Sequence, residues 1–161
     1  MINESNTNRH VAQTDHSTET VSPEELRKRF REFVNDEPRF RKFIEICNKT
    51  AREHGRLTFW QQELWESFTG SNPEFAHLGF SAIVDAFYVC HVHMTPLRRT
   101  EVPIRKGLWC ETHTSEVESQ IVSDAPYSTT YALDSDAWIN ATHITVDHCD
   151  ECLAKRRQIC A

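Results

Sequence analysis

The sequence predicts an α+β fold: a helical N-terminal half, about four helices, and a β-rich C-terminal half that ends in a short helix. Three observations carry this. Apolar residues recur with helical spacing from Leu26 to Val84. Short β-favourable runs replace them after Ala86. Two pairs with a two-residue gap, Cys90 with His93 and Cys149 with Cys152, stand at the ends of two such runs.

Residues 1–20 are polar and read as a disordered tail, because they offer almost no apolar area to bury. Residues 21–161 read as a single domain, with a helical part over 22–85 and a metal-binding part over 86–160. Ser22-Pro23-Glu24-Glu25 opens the first helix with a capping hydroxyl, a proline tolerated in the first turn and acidic residues at the positive end of the dipole. Leu26, Phe30 and Phe33 share one face. Pro38 stops this helix near Asn35-Asp36.

A second helix is expected from about Pro38 to His54, with Phe40, Phe43, Ile44, Cys47 and Ala51 as its stripe and Gly55 as its stop. A third runs from about Thr58 to Phe68, with Trp60, Leu64, Trp65 and Phe68 aligned as core. A fourth covers Phe75 to Val84, weakened by Gly79. Strands are then expected over 86–89, over 97–106, over 127–133 and over 139–146, with a short helix over 116–122. Pro103 assigns its strand to a sheet edge. A last helix over 153–159 follows Cys152, with Asp150 and Glu151 at its favourable end.

The two pairs carry the chemistry. A two-residue gap lets two side chains converge from one tight turn, and Cys90, His93, Cys149 and Cys152 supply the four ligands of a closed tetrahedral Zn²⁺ site. At a helix start, the dipole also helps to keep the thiolates of Cys149 and Cys152 ionised. His91 competes with His93 as ligand, His148 is a candidate for the surrounding shell, and Cys110 with His113 forms a third pair of the same spacing. The order of ligand turn, β-hairpin around Val102–Ile104, insertion, strand and ligand pair on a helix resembles a treble-clef zinc finger over residues 87–160. The 55 residues between the pairs, 94–148, exceed what a simple finger needs.

Two enzyme readings use the same residues. Strand, Cys149-x-x-Cys152 and helix look like a thioredoxin-type redox motif, but only nine residues follow Cys152, too few to complete that fold. His91 and His93 faintly resemble the His-containing hairpin of HNH nucleases, with Asn140 and His143 as further site residues and a divalent metal as the implied cofactor. The Gly-rich turn after the histidine is missing. No Gly-x-Ser-x-Gly elbow occurs, and four dispersed glycines leave no phosphate loop.

Composition bounds the partners. The net charge of −6 disfavours a nucleic-acid backbone, and the basic runs Arg27–Arg31, Arg39–Lys42, Arg98-Arg99 and Lys155–Arg157 read as solvated faces. No run approaches the roughly 18 apolar residues of a membrane span, and no secretory leader is evident. Six cysteines in a chain expected to be cytoplasmic point to metal and free thiols. The expected function is therefore non-enzymatic binding of another protein, one version being an acidic, antitoxin-like partner that covers a basic surface. A nucleic-acid-binding zinc finger using Arg98, Arg99 and Lys155–Arg157 is the second class.

Overall fold

The computed structural model describes residues 22–106, 114–133 and 140–161. Helix α1, Pro23–Val34, begins where Ser22 Oγ accepts the Glu25 N–H at 3.2 Å and ends where Asn35 turns left-handed at φ 46°. Asp36 then caps α2 at once, its Oδ1 accepting the Arg39 N–H at 3.0 Å. Helix α2, Glu37–Ile46, continues through a π-helical turn, Cys47–Ala51, and closes with Arg52–His54 before Gly55 at φ 65°. All five residues of its expected stripe are buried. The π turn also carries Asn48 inward, where it is 6 % exposed.

Helix α3, Phe59–Ser71, starts at Thr58, whose N–H and hydroxyl both donate to Gln61 Oε1 at 3.1 and 2.9 Å. Gln61 is itself fully buried, and its Nε2 donates to Phe43 O at 3.1 Å and meets Cys47 Sγ at 3.2 Å. The expected fourth helix is displaced. Pro73–Phe75 forms a 3₁₀ turn and α4 is Phe80–Ala86, with Gly79 extended at its cap rather than inside it. Phe30 lies at the centre of the helical core, its ring centroid 4.6, 5.1 and 5.2 Å from those of Phe43, Phe68 and Phe87. Trp65 and Phe68 are buried there, and Trp60 packs on the edge, so this aromatic stripe is core.

The second half holds a three-stranded sheet: β1, Arg98–Arg105; β2, Ala132–Leu133; β3, His143–His148. Its order is β2-β1-β3, with β1 antiparallel to β3 from Arg98↔His148 to Pro103↔His143 and parallel to β2 at Ile104↔Ala132. Two expectations are corrected. The strand with Pro103 is central rather than at an edge, and it pairs across the insertion instead of forming a hairpin around Val102–Ile104. Register explains the tolerated proline. Ile104 N–H donates towards β3, to Thr142 O at 2.8 Å. The neighbouring Pro103 nitrogen therefore faces the other side, where β2 pairing begins only at Ile104.

Helix α5 is Ser115–Asp124 and α6 is Asp150–Ile159. Of the expected strand 127–133, only Ala132–Leu133 pairs, because Tyr127 spends its carbonyl on Cys149 N–H at 3.0 Å. A second buried cluster joins Cys90, Leu97, Ala125, Tyr127, Cys149 and Cys152. Cys110 and His113 lie outside the described residues, as does the tail.

Candidate metal centre

The first pair sits on a tight loop. Val89 and Pro96 form an antiparallel bridge, Cys90 N–H donates to Thr95 O at 2.7 Å and Met94 N–H donates to Cys90 O at 2.8 Å. Closing the loop puts Met94 at φ 62°. That conformation costs a non-glycine residue about 1–2 kcal/mol. The Met94 side chain packs against the helical core, which offsets the strain.

The second pair sits at a helix start. Pairing of β3 with β1 delivers the chain to Cys149, the N-cap residue of α6. Its Sγ stands where a Ser or Asp oxygen usually would and accepts the Cys152 N–H at 3.5 Å. Helix α6 therefore begins at Asp150, three residues before the expected start.

The two pairs converge. Each of Cys90, His93, Cys149 and Cys152 offers one ligand atom, and the four atoms lie within 4.8 Å of one another, a grouping that can hold a metal ion. His93 Nδ1 is 3.6 Å from Cys90 Sγ, 3.8 Å from Cys149 Sγ and 3.3 Å from Cys152 Sγ. The Cys90 and Cys152 sulfurs are 3.6 Å apart and both thiols are free. All three cysteines are buried, and His93 is half-buried.

Polar hydrogens surround the sulfurs. Cys90 Sγ accepts the His93 N–H at 3.4 Å, and Thr95 Oγ1 lies 3.2 Å from Cys149 Sγ. Burial pushes the Cys90 thiol above its ordinary range, opposed by the N–H groups of His93 and Val92. Burial pushes Cys152 up further, opposed by the Tyr127 N–H. A cation among the three sulfurs would reverse that balance.

The helical half holds the ligand loop in place. Arg41 donates to His91 O at 2.8 Å and also to Val92 O, while Glu37 holds the guanidinium at 2.7 Å. Asn48 Nδ2 donates to Val89 O at 2.7 Å, immediately before Cys90. Tyr127 Oη lies 3.5 Å from Asn48 Nδ2 and 3.4 Å from His91 Nδ1. Arg41 was hidden in a basic run that reads as solvated, and Asn48 in an otherwise apolar face; neither residue carries a motif that would have marked it.

Other sequence candidates fall elsewhere. His91 turns to Tyr127 and is not in the four-atom group. His148 is buried with Nε2 3.3 Å from Asp150 Oδ1. Asn140 and His143 are exposed at the far end of β3. Six residues of extended chain put His143 roughly 20 Å from Cys149, so the residues of the nuclease reading are not brought together.

No protein-family model, curated protein or solved structure matches the chain. The site rests on its own geometry. Among the described residues, no helix is long and apolar enough to cross a membrane.

Proposed function

We propose that Cys90, His93, Cys149 and Cys152 hold one structural Zn²⁺, and that the protein is a non-enzymatic, zinc-stabilised module that binds another protein. The carrying observation is the size of the ligand cage. Zinc bonds of about 2.3 Å to sulfur and about 2.05 Å to nitrogen set tetrahedral edges of about 3.8 Å between sulfurs and about 3.6 Å from sulfur to nitrogen. Four of the six edges of the cage are close to these values: Cys90 Sγ to Cys152 Sγ is 3.6 Å and the three sulfurs stand 3.3–3.8 Å from His93 Nδ1, with all four atoms within 4.8 Å of one another. Three thiolates and an imidazole suit zinc over magnesium or calcium, which prefer oxygen.

Four protein ligands, three of them buried, complete a tetrahedral set and leave no open position at which a metal-bound water would be activated, which supports a structural role. The order of ligand loop, strand, strand and ligand pair at a helix start supports a treble-clef-type finger, with α5 and β2 inserted between its strands. Free thiols this close together favour a reducing compartment such as the cytoplasm.

The charge distribution refines the partner. The acidic excess of the chain comes mainly from Glu4, Asp15, Glu19, Glu111, Asp134 and Asp136, all outside the described residues. Within them acidic and basic side chains nearly balance, so neutralisation of a basic partner would draw on those segments. The nucleic-acid reading is weaker. Arg98 is held by Asp150 at 2.6 Å and Arg156 donates to Ser128 O at 3.5 Å, so both are engaged within the protein.

The test is cross-linking capture by the zinc-loaded, tagged protein in its own cells, with and without nuclease treatment. A protein partner retained after nuclease supports the reading. Capture that vanishes with nuclease, together with a gel shift that weakens steeply with salt, contradicts it.

A further inference from the structure

Each ligand pair is preceded, two positions earlier, by one partner of a shared hydrogen bond. Tyr88 stands before Cys90 and Asp147 before Cys149, and Tyr88 Oη donates to Asp147 Oδ1 at 2.5 Å. The tyrosine reaches across β1 to do so. Leu97 N–H donates to Tyr88 O at 3.2 Å, whereas Asp147 pairs with Arg99 from β3. Ile104 N–H faces β3, so the Leu97 N–H, at an odd distance along the same chain, faces away from it. Tyr88 and Asp147 therefore flank the start of β1 from opposite sides. The ring is also held from the helical half. The Arg52 guanidinium lies 4.4 Å from the Tyr88 ring centroid while its Nη2 donates to Val84 O at 3.4 Å. Both Tyr88 and Asp147 are half-buried. The other charged link near the second pair, Arg98 to Asp150, joins side chains 57 % and 75 % exposed, where solvent screening leaves such a pair little strength.

We propose, on the zinc reading of the cage, that Tyr88 and Asp147 are positioning residues of the metal centre. Their hydrogen bond sets the spacing of the two ligand-bearing segments, so that Cys90 with His93 and Cys149 with Cys152 converge before a metal arrives. Fifty-five residues separate the two pairs. A metal that had to close that loop itself would lose part of its binding free energy to chain entropy. A tie two residues from each pair removes that loss, because little backbone between the tie and the sulfurs is left free to move. Neither side chain supplies a ligand atom to the four-atom group, so both act through the ligands they orient. Removing groups that orient ligands in this way lowers metal affinity by about 10–100-fold.

The test measures zinc affinity of the full chain by competition with a chelating indicator, and thermal unfolding with zinc and with excess chelator. Four variants are compared with the wild type: Tyr88→Phe, Asp147→Ala, Asp147→Asn and the double change Tyr88→Phe with Asp147→Ala. Phenylalanine keeps the ring beside Arg52 and removes only the hydroxyl. Zinc affinity should fall at least about tenfold in Tyr88→Phe and in Asp147→Ala. The double variant should bind no more weakly than the weaker single one, because both changes break the same bond. Asp147→Asn keeps an oxygen that accepts the hydroxyl and should stay close to the wild type. In Tyr88→Phe and Asp147→Ala the melting temperature should drop further with zinc than with chelator. A wild type that binds zinc, with Tyr88→Phe and Asp147→Ala binding it equally tightly, overturns the proposal and leaves the cage reading standing. So does a double variant whose loss is the sum of the two, or Asp147→Asn as weak as Asp147→Ala. A wild type that binds no zinc overturns both readings.

Discussion

Cys149→Ser separates two roles that one sulfur performs. In the structure Cys149 Sγ belongs to the four-atom cage and also caps α6 by accepting the Cys152 N–H at 3.5 Å. Serine removes the thiolate but keeps a capping oxygen, and as an N-cap it is preferred, a difference of up to about 1 kcal/mol in its favour. A structural zinc site contributes about 10–16 kcal/mol, so one ligand in four carries about 2.5–4 kcal/mol. For a chain of this length each kcal/mol moves the midpoint by about 2–4 °C, which places the loss near 10 °C. Zinc affinity should fall about 10²–10³-fold, read by competition with a metallochromic indicator.

The assay is thermal unfolding by far-UV circular dichroism, once with zinc and once with excess chelator. With zinc the variant melts about 10 °C below the wild type. With chelator both proteins lose the metal term, and the serine variant melts at the same temperature or slightly higher. An equal loss in both conditions would refute the reasoning, because Cys149 would then act as a packing residue and not as a ligand.

Three further outcomes follow from the same geometry. Asn48→Ala strands the buried Val89 carbonyl and should cost about 1–2 kcal/mol in urea unfolding, and Asn48→Asp, which turns a charged oxygen towards that carbonyl, should cost more. Site-resolved alkylation of the native protein should label exposed Cys160 first, reach Cys90, Cys149 and Cys152 only after chelation, and reach buried Cys47 only on unfolding. The Cys47 thiol is pushed up to about 12 by burial. Its folded value lies above the unfolded one near 9, so its contribution is intact below pH 9 and is lost as the pH rises towards 12; stability of the wild type should fall across that window more steeply than that of Cys47→Ala.

Much of the helical half was legible because its signal is periodic. Phe40, Phe43, Ile44, Cys47 and Ala51 recur at helical spacing and all five are buried. Ser22 and Thr58 announce helix starts by local chemistry that needs no distant partner, whereas the cap at Asp36 emerges only in the structure. The two ligand pairs were legible because a two-residue gap is itself a local geometry, and the fold needed only to bring them together.

What the sequence did not disclose is long-range. Pro103 marks an edge strand only if the side its nitrogen faces is known, and that depends on β3, about forty residues away in the chain. The run at Tyr127 has strand composition, yet its carbonyl serves Cys149 N–H. Arg41, Asn48 and Gln61 are polar side chains that satisfy remote backbone carbonyls, and such service leaves no periodic trace. Arg41 and Asn48 also fix the ligand loop to the helical core, so two of the least legible side chains help to position the site.

The central claim is one zinc ion held by four named ligands, and metal content tests it most directly. Purified, zinc-replete protein, dialysed against metal-free buffer and analysed by native mass spectrometry alongside elemental analysis, should carry about one zinc per chain. Cys90→Ser and Cys152→Ser should each lower that occupancy under the same dialysis. A wild-type chain with less than about half an equivalent of zinc, or ligand variants that retain the full amount, would contradict the account.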